Sequence, residues 1–144
     1  MSEYLVLAET ILFKNDKLTC INIYNNFRTV AMPAVFNFDM AIMCGPKWSA
    51  GEHKLTVKAV ASNGKEIELG SSVVNIPNED FVYNAFLNNI KITMDYSVSD
   101  LTFHVYDNEK EVYSRKYQVL PMLVPQNNEQ EETKGKGKGK AKNK

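Results

Sequence analysis

The chain has 144 residues, of which 44% are hydrophobic and 24% are charged, and its formal net charge at pH 7 is zero. This length and composition are typical of one soluble domain with a single core. Residues 1 to 125 hold 11 Lys and Arg against 14 Asp and Glu, which argues against a body that binds nucleic acid by charge.

The first apolar run, residues 4 to 13, has no basic segment before it and contains Glu9. We therefore expect neither a signal peptide nor a membrane span, and we expect a cytoplasmic protein. A turn at residues 15 to 17 precedes a second run, residues 18 to 27, so the two runs form a hairpin. The alternation of apolar and polar residues breaks down near Asn22, which indicates a bulge or a strand buried on both sides. Glu9 is expected at a strand edge or as a paired surface acid, since an unpaired buried carboxylate is costly.

Pro33 opens a third run, residues 34 to 44, and a loop follows it. Two sets of side chains compete for the inward face of this run: Val35, Met40 and Ile42, or Phe36, Phe38 and Met43. The next hairpin is the clearest in the chain, because Asn63 and Gly64 are the pair that a type I′ turn prefers. In its first strand we expect Leu55, Val57 and Ala59 to point inward.

Residues 76 to 89 are ambiguous, since Asn78 is able to cap a short helix or to begin an irregular crossover. The crossover, with at most one helical turn, is the preferred interpretation. Strict alternation then predicts a half-buried strand over residues 90 to 98. The inward side chains expected from here to the end are Ile90, Ile92, Met94, Tyr96, Val98, Leu101, Phe103, Val105, Tyr113, Tyr117 and Val119. Pro121 and Pro125 end the domain.

Seven or eight short strands with few helical patterns predict an all-β domain. The expected architecture is an antiparallel β-sandwich, immunoglobulin-like or jelly-roll-like, over residues 1 to 125; a barrel is the alternative. Residues 126 to 144 are polar and contain no aromatic residue, which predicts a disordered tail, first acidic and then rich in lysine and glycine.

The order of these features resembles a family of short bacterial and phage proteins known only as a domain of unknown function. The resemblance rests on Glu9 in an apolar first strand and on four segments: "NDKL" at 15 to 18, "MPAVFNF" at 32 to 38, "GEHKLTVKAVASNGKEI" at 51 to 67, and "LTFHVYDNEKEVYSRKYQV" at 101 to 119. Asn15 and Asp16 depart from the pattern, in which a glycine is commoner. The resemblance implies a β-sandwich and says almost nothing about activity.

The sequence contains no arrangement of nucleophile, base or metal ligands that indicates an enzyme, a cofactor or a metal site. The two cysteines, Cys20 and Cys44, are interpreted as buried thiols without a disulfide. His53 and His104 have no cysteine partner nearby in sequence, and His104 is expected on the outward face. Asp95, Asp100 and Asp107 lie near strand ends; we interpret them as solvated acids rather than as a cation cluster.

Aromatic residues in or near loops are the candidate interaction surface, because loops on a rigid scaffold commonly carry binding. They are Trp48, Tyr24, Phe27, Tyr83 and Phe86. For each, packing over the end of the sandwich is the alternative. We therefore expect a non-enzymatic protein-interaction module, from a phage or mobile element, whose loops or edge strand contact an unknown protein partner. A sandwich that binds a small molecule is the second hypothesis.

The lysine tail supports a third hypothesis, an accessory protein that contacts a polyanion such as nucleic acid. Its candidate contacts are Lys134, Lys136, Lys138, Lys140, Lys142 and Lys144. Six lysines without an interleaved aromatic residue predict weak, salt-sensitive and non-specific binding. A tail that only improves solubility is the preferred interpretation.

Overall fold

Nine β-strands make up the fold in a computed structural model that describes residues 4–15 and 17–121. Within these residues there is no helix. The strands are β1 (Tyr4–Lys14), β2 (Lys17–Ile23), β3 (Phe27–Thr29), β4 (Ala34–Cys44), β5 (Gly51–Ala61), β6 (Glu66–Ile76), β7 (Tyr83–Met94), β8 (Asp100–Asp107) and β9 (Lys110–Pro121).

The strands form two sheets, which bury one shared core and are consistent with a β-sandwich. One sheet has the order β2-β1-β4-β7, and the other has the order β3-β9-β8-β5-β6. Every neighbouring pair is antiparallel except β3 and β9, which run parallel. The all-β class is therefore confirmed, and the expectation of a purely antiparallel arrangement is corrected by this one pair.

The expected seven or eight strands become nine because the second apolar run divides. Asn22 has a φ of 56°, a left-handed conformation that disturbs the strand, and β2 ends at the next residue. The N–H of Tyr24 then bonds to the carbonyl of Leu7 at 2.8 Å. The three residues of β3 thus join the opposite sheet, where Phe27 lies beside Val119, and the chain returns to the first sheet at β4.

Phe27 occupies the centre of the core between the sheets. Its ring centroid lies 5.6 Å from that of Phe38, 6.3 Å from Phe103 and 5.7 Å from Tyr117. These distances suit aromatic pairs, whose packing adds to the apolar area they bury. Strands from both sheets therefore meet at a single aromatic cluster.

The alternation of apolar and polar residues in the sequence correctly predicted most of the side chains that face the core. Leu55, Val57 and Ala59 are buried, as are Leu101, Phe103, Val105, Ile90, Ile92 and Met94. In β4 the inward set mixes the two proposed alternatives, because Phe36, Phe38, Met40 and Ile42 all pack into the core while Val35 is exposed. Of the last strand, Tyr117 and Val119 are buried and Tyr113 is half-buried.

Tyr96 was expected to point inward, and this is wrong, since 83% of it is exposed. β7 ends two residues earlier, at Met94. Asp95 then begins a turn: its side chain accepts the N–H of Ser97 at 2.8 Å, and its carbonyl accepts the N–H of Val98. The turn interrupts the alternation of inward and outward side chains, so Tyr96 points to solvent and Val98 is the next buried residue.

The turn between β5 and β6 is not the expected type I′. Such a turn needs positive φ at both central residues, but only Gly64, at 89°, has it here. The N–H of Gly64 bonds to the carbonyl of Ala61, whose own N–H bonds to the carbonyl of Lys65. This is the three-residue hairpin loop in which glycine takes the left-handed position after a type I turn.

The crossover between β6 and β7 is shorter than expected, because β7 already begins at Tyr83. Asn78 begins a turn within it, and its side-chain oxygen accepts the N–H of Asp80 at 3.0 Å. The crossover also approaches the loop between β4 and β5, where the N–H of Lys47 bonds to the carbonyl of Glu79 at 2.6 Å.

Candidate functional site

The β1–β2 hairpin leaves the four-stranded sheet and covers part of its outer face. β1 pairs with β4 only as far as Ala8, which lies opposite Asp39. The buried Asp39 carboxylate then accepts the N–H of Ile11 at 2.9 Å and the N–H of Asn89 at 2.9 Å. One carboxylate thus replaces the missing strand contacts and directs the hairpin away from β4.

The inner side of the hairpin is apolar and packs on the sheet. Ala8, Ile11 and Ala41 form a second buried cluster, separate from the main core, against which Leu18 and Cys20 pack. The ring of Phe13 lies 5.8 Å from the ring of Phe86 on β7. The hairpin is therefore held at its base by Asp39 and further along by this small cluster.

Other apolar side chains of the hairpin are exposed. Leu12, Ile21 and Ile23 are 53%, 44% and 55% exposed. Among the described strands β2 pairs with β1 alone, so its other edge has no strand partner in that part of the chain. We call this edge, together with these three side chains, the hairpin surface. Exposed apolar edge strands are uncommon in natural proteins, which usually protect them with charges, prolines or short length.

Two lysines lie at the far end of the hairpin. Lys14 and Lys17 are direct cross-strand partners, and like charges in that arrangement repel. Neither ammonium forms an ion pair with another residue that the structure describes. Glu9, the acid in the first strand, is exposed and accepts a hydrogen bond from the Asn22 amide at 2.7 Å, so it is a paired surface acid.

The five aromatic residues singled out in the sequence do not form one surface. Phe27 is completely buried, and Tyr24 stacks on it at 5.5 Å, half-buried. Trp48 is only 6% exposed. Tyr83 and Phe86 are exposed, and Phe86 reaches the hairpin through Phe13. The six lysines of the tail lie outside the described residues.

Trp48 covers a polar cluster of Ser49, His53 and Asp107 at the end of the sandwich where β5 begins. Its ring centroid is 5.0 Å from that of His53, a buried histidine on the inward face of β5. Nδ1 of His53 lies 2.9 and 2.8 Å from the two carboxylate oxygens of Asp107. Nε2 lies 2.7 Å from the carbonyl oxygen of Ser49 and 3.5 Å from its hydroxyl.

This Ser–His–Asp arrangement differs from a catalytic triad in one hydrogen bond. In a triad Nε2 accepts the proton of the serine hydroxyl, so it must be unprotonated before the reaction. Here the nearest group to Nε2 is the Ser49 carbonyl, which only accepts, and the imidazole must donate to it. In this conformation His53 is therefore not placed to activate Ser49, and the cluster holds the loop instead.

The pKa of His53 is raised above its ordinary value. Burial alone lowers it, but the hydrogen bond to the Ser49 carbonyl, the hydrogen bond to Asp107 and the charge of Asp107 together outweigh burial. The other histidine, His104, lies on the outward face of β8, half-buried, and pairs with Glu111.

The three acids considered as a cation cluster are far apart. Asp100 and Asp107 lie at opposite ends of β8, and Asp95 is in the preceding turn. Asp107 bonds to His53 and Asp100 lies 4.0 Å from Lys116. No group of three metal-ligating side chains occurs among the described residues.

The pairing of His53 with Asp107 was missed in the sequence, where the two residues are 54 positions apart. A partial signal was present. His53 lies two residues before Leu55, and Asp107 lies two residues after Val105, and both of these apolar side chains were expected to face inward. Because side chains two residues apart on a strand share a face, His53 and Asp107 should also point inward. What the pattern lacks is the order of strands, which puts β5 beside β8.

Comparison with known proteins gives no family: no protein-family model matches the chain, and no curated protein matches it significantly. The described residues also include no helix that is long and apolar enough to cross a membrane.

Proposed function

We propose that the protein is a non-enzymatic interaction module whose hairpin surface accepts an extended strand of a partner protein. The observation that carries the proposal is the exposed apolar edge formed by β2 with Leu12, Ile21 and Ile23. In strand addition, main-chain hydrogen bonds along a sheet edge contribute affinity and alternate side chains contribute specificity.

The expected affinity is modest. Each of the three side chains is about half exposed, so covering it contributes about 1 kcal/mol, or about 3 kcal/mol together. That is less than the cost of association, and the backbone hydrogen bonds of β2 must supply the rest. A micromolar complex requires about 8 kcal/mol, which these terms do not exceed, so a dissociation constant on the order of micromolar or weaker is expected.

The charge of the hairpin restricts the partner. Because Lys14 and Lys17 repel each other across the hairpin end, a partner carboxylate placed there would relieve the repulsion and form a charge-assisted hydrogen bond. The preferred partner is thus an extended segment of alternating apolar residues with an acidic residue at one end.

Selection from a library of random linear peptides tests this proposal directly. We expect the selected peptides to be apolar in alternation and to carry Asp or Glu near one end. Their binding should shift the amide resonances of residues 17 to 23, and Ile21→Lys should abolish it. Val73→Lys is the matched control, since Val73 is an exposed apolar residue on β6, the edge strand of the other sheet.

Peptides that bind both variants equally would contradict the assignment of the hairpin surface. Peptides that shift residues at the ends of the sandwich instead would favour the loop aromatics Trp48 and Tyr83 as the contact. A pull-down from a native lysate with the same two variants then identifies the natural partner.

A small-molecule site is the second candidate, supported by a groove of about 370 Å³ at the end of the sandwich opposite His53. That volume lies near the lower limit of known ligand pockets. The groove is mainly apolar and is lined by Thr29, Val30, Ala31, Met32, Tyr96, Val119, Leu120 and Pro121. Binding of an apolar dye that Tyr96→Ala abolishes and Ile21→Lys does not would support it.

The remaining parts of the proposal come from the sequence. They are a cytoplasmic location, an origin in a phage or mobile element, membership of the family of unknown function, and an immunoglobulin-like or jelly-roll-like topology. Polyanion contact through the lysine tail is the third candidate function.

A further inference from the structure

Both ring nitrogens of His53 face hydrogen-bond acceptors. Nδ1 faces the carboxylate of Asp107 at 2.8 Å, and Nε2 faces the carbonyl oxygen of Ser49 at 2.7 Å. A neutral imidazole has a single N–H, so only the imidazolium satisfies both acceptors at once. His53 is 5% exposed, and its ring lies against the indole of Trp48.

The Ser49 carbonyl belongs to the loop of residues 45 to 50, which joins β4 to β5. Three other contacts hold this loop. Gly45 lies against the Phe81 carbonyl, the N–H of Lys47 bonds to the carbonyl of Glu79, and Trp48 packs into the end of the core. Among these four contacts, the bond from His53 to Ser49 is the one that depends on a titratable proton.

We propose that His53 is a proton-operated latch for this loop, which keeps Trp48 buried while the imidazole is protonated and releases it when the proton leaves. This inference is independent of the proposed function of the hairpin surface. It gives a conditional role to Trp48, which the sequence identified as a candidate partner anchor.

The direction of opening follows from the two acceptors. The Asp107 carboxylate is the stronger acceptor because it is charged, so the last proton remains on Nδ1. The lone pair of Nε2 then faces the lone pairs of the Ser49 carbonyl, and the contact becomes repulsive. The nearest donor is the Ser49 hydroxyl, 3.5 Å from Nε2, but turning it toward Nε2 leaves the Ser49 carbonyl oxygen in its repulsive position, so relief still requires the carbonyl to move away.

Asp107 is the charged group in contact with the ring. The inward neighbour on β6, Val74, is apolar, and the buried Cys44 ends β4. The titratable side chains nearest to this end of the surrounding elements are exposed; they are Lys47, Glu52, Lys54, Glu79, Asp80, Tyr83, Glu109 and Lys110. Lys58, His104 and Tyr106 are half-buried, but they lie on the outward face of β5 and β8, away from His53. The latch therefore has one dominant charged partner.

The pH range follows from the sign of the shift. Because the His53 pKa is raised in the folded protein, protonation favours the closed loop most fully below the ordinary value of about 6.5. This contribution is lost as the pH rises through the raised pKa, so the loop opens on the alkaline side.

Opening would enlarge an apolar region at this end of the molecule. Phe81 and Val82 are already exposed in the neighbouring crossover, and Gly45 and Lys47 tie the loop to that crossover. A released Trp48 would add a large aromatic side chain beside them. The latch thus makes a partner contact at this end dependent on pH.

Trp48 is the only tryptophan of the chain and there are only two histidines, so the test has an unambiguous signal. Histidine resonances and acrylamide quenching of Trp48 fluorescence are followed in the same samples between about pH 5.5 and 9. Acrylamide is neutral, so its access does not depend on the charge of the imidazole. We expect the quenching constant to rise severalfold with a midpoint equal to the His53 pKa.

Three variants define the origin of the transition. Asp107→Asn should lower the midpoint by about one pH unit or more, because it removes the charge that favours the imidazolium. His53→Gln should make quenching independent of pH, and His104→Gln should leave the transition unchanged.

Two results would overturn the latch. One is a His53 that titrates while Trp48 stays inaccessible over the whole range, since the proton would then leave without opening the loop. The other is a His53 pKa at or below about 6.5 in the folded protein. Both are measured on the unmodified protein, so the test stands even if a variant fails to fold.

Discussion

Tyr117 carries a hydroxyl that is buried without a hydrogen-bond partner among the residues that the structure describes. Its ring belongs to the aromatic cluster around Phe27 and lies beneath the Arg115 guanidinium at 4.7 Å. Burial raises the pKa of this phenol, so the group is neutral at any ordinary pH. The ring contributes to packing, whereas the hydroxyl pays a desolvation cost.

Tyr117→Phe should therefore raise the free energy of unfolding by about 1 kcal/mol, because it removes an unsatisfied polar atom and keeps the ring. Urea unfolding measures this directly. Tyr113→Phe, in the same strand and half-buried, should change the value by less than about 0.5 kcal/mol. A clear loss of stability in Tyr117→Phe would reveal a partner for the hydroxyl, such as a buried water.

Asp39, unlike the Tyr117 hydroxyl, is expected to stabilise the fold, because its carboxylate accepts hydrogen bonds from two backbone N–H groups at the base of the hairpin. Asp39→Ala leaves both without an acceptor and should destabilise the domain by about 3 kcal/mol or more. Asp39→Asn keeps one acceptor oxygen and should cost about half as much. Asp80→Ala, an exposed acid, is the control; equal costs for all three would show that Asp39 is not needed.

At the scale of elements, the loop of residues 45 to 50 has a steric limit at Gly45. A Cβ there would lie 2.3 Å from the Phe81 carbonyl oxygen, and φ is 90°. Gly51 also has a positive φ, 123°, but nothing lies within 4 Å of its added Cβ. A substitution at Gly51 would therefore meet only the strain of a positive φ, whereas one at Gly45 would also clash with the Phe81 carbonyl.

Gly45→Ala should therefore cost about 3 kcal/mol or more, and Gly51→Ala only about 1 kcal/mol. Chemical denaturation measures both. Equal losses would mean that the crossover moves away easily, and that the loop is held less firmly than its contacts indicate.

β7 provides a test of the inward face. Ile92 is buried between the sheets and Thr93, the next residue, is exposed. Ile92→Asp places a carboxylate in the core and should cost about 4 kcal/mol or more, which is a large part of the stability of an ordinary domain. Thr93→Asp should cost less than about 1 kcal/mol. Circular dichroism and thermal unfolding distinguish them; similar costs would invalidate the assigned face.

Elements with one buried side were predictable from alternation alone, as in β5 and β8. Alternation is not sufficient where a single backbone angle or turn interrupts it. The irregularity near Asn22 was expected, but the division of the run into β2 and β3 was not, and neither was the exposure of Tyr96 after the turn at Asp95. An edge strand was one expected partner contact, but β2 was not identified as that strand, because its apolar residues look like core residues until its position at a sheet edge is known. Strand order also determines the contact of His53 with Asp107, and no local pattern encodes it.

For the molecule as a whole, the basic tail is expected to be dispensable for the fold and for the principal partner. Deleting residues 126 to 144 should leave the unfolding midpoint unchanged, because it removes no residue of the core described here. A pull-down that loses its main partner on this truncation alone would move function to the tail.

If the tail does contact a polyanion, salt gives the diagnostic. Six lysines predict a slope of log affinity against log salt of about −4 to −5. Raising salt from about 50 to about 200 mM should then weaken binding several-hundredfold or more. A much shallower slope would show that few of the six lysines contact phosphate.

The parallel pairing of β3 with β9 determines when the core is completed during synthesis. Phe27 emerges from the ribosome early, but its neighbours Tyr117 and Val119 emerge some 90 residues later. Phe27 is able to contact Phe38 soon after synthesis, but until β9 emerges β3 has no strand partner and its apolar side chains are open to wrong partners. Closure must therefore wait for the last strand, and the nascent chain should depend on chaperones during that interval more than a domain built from local hairpins would.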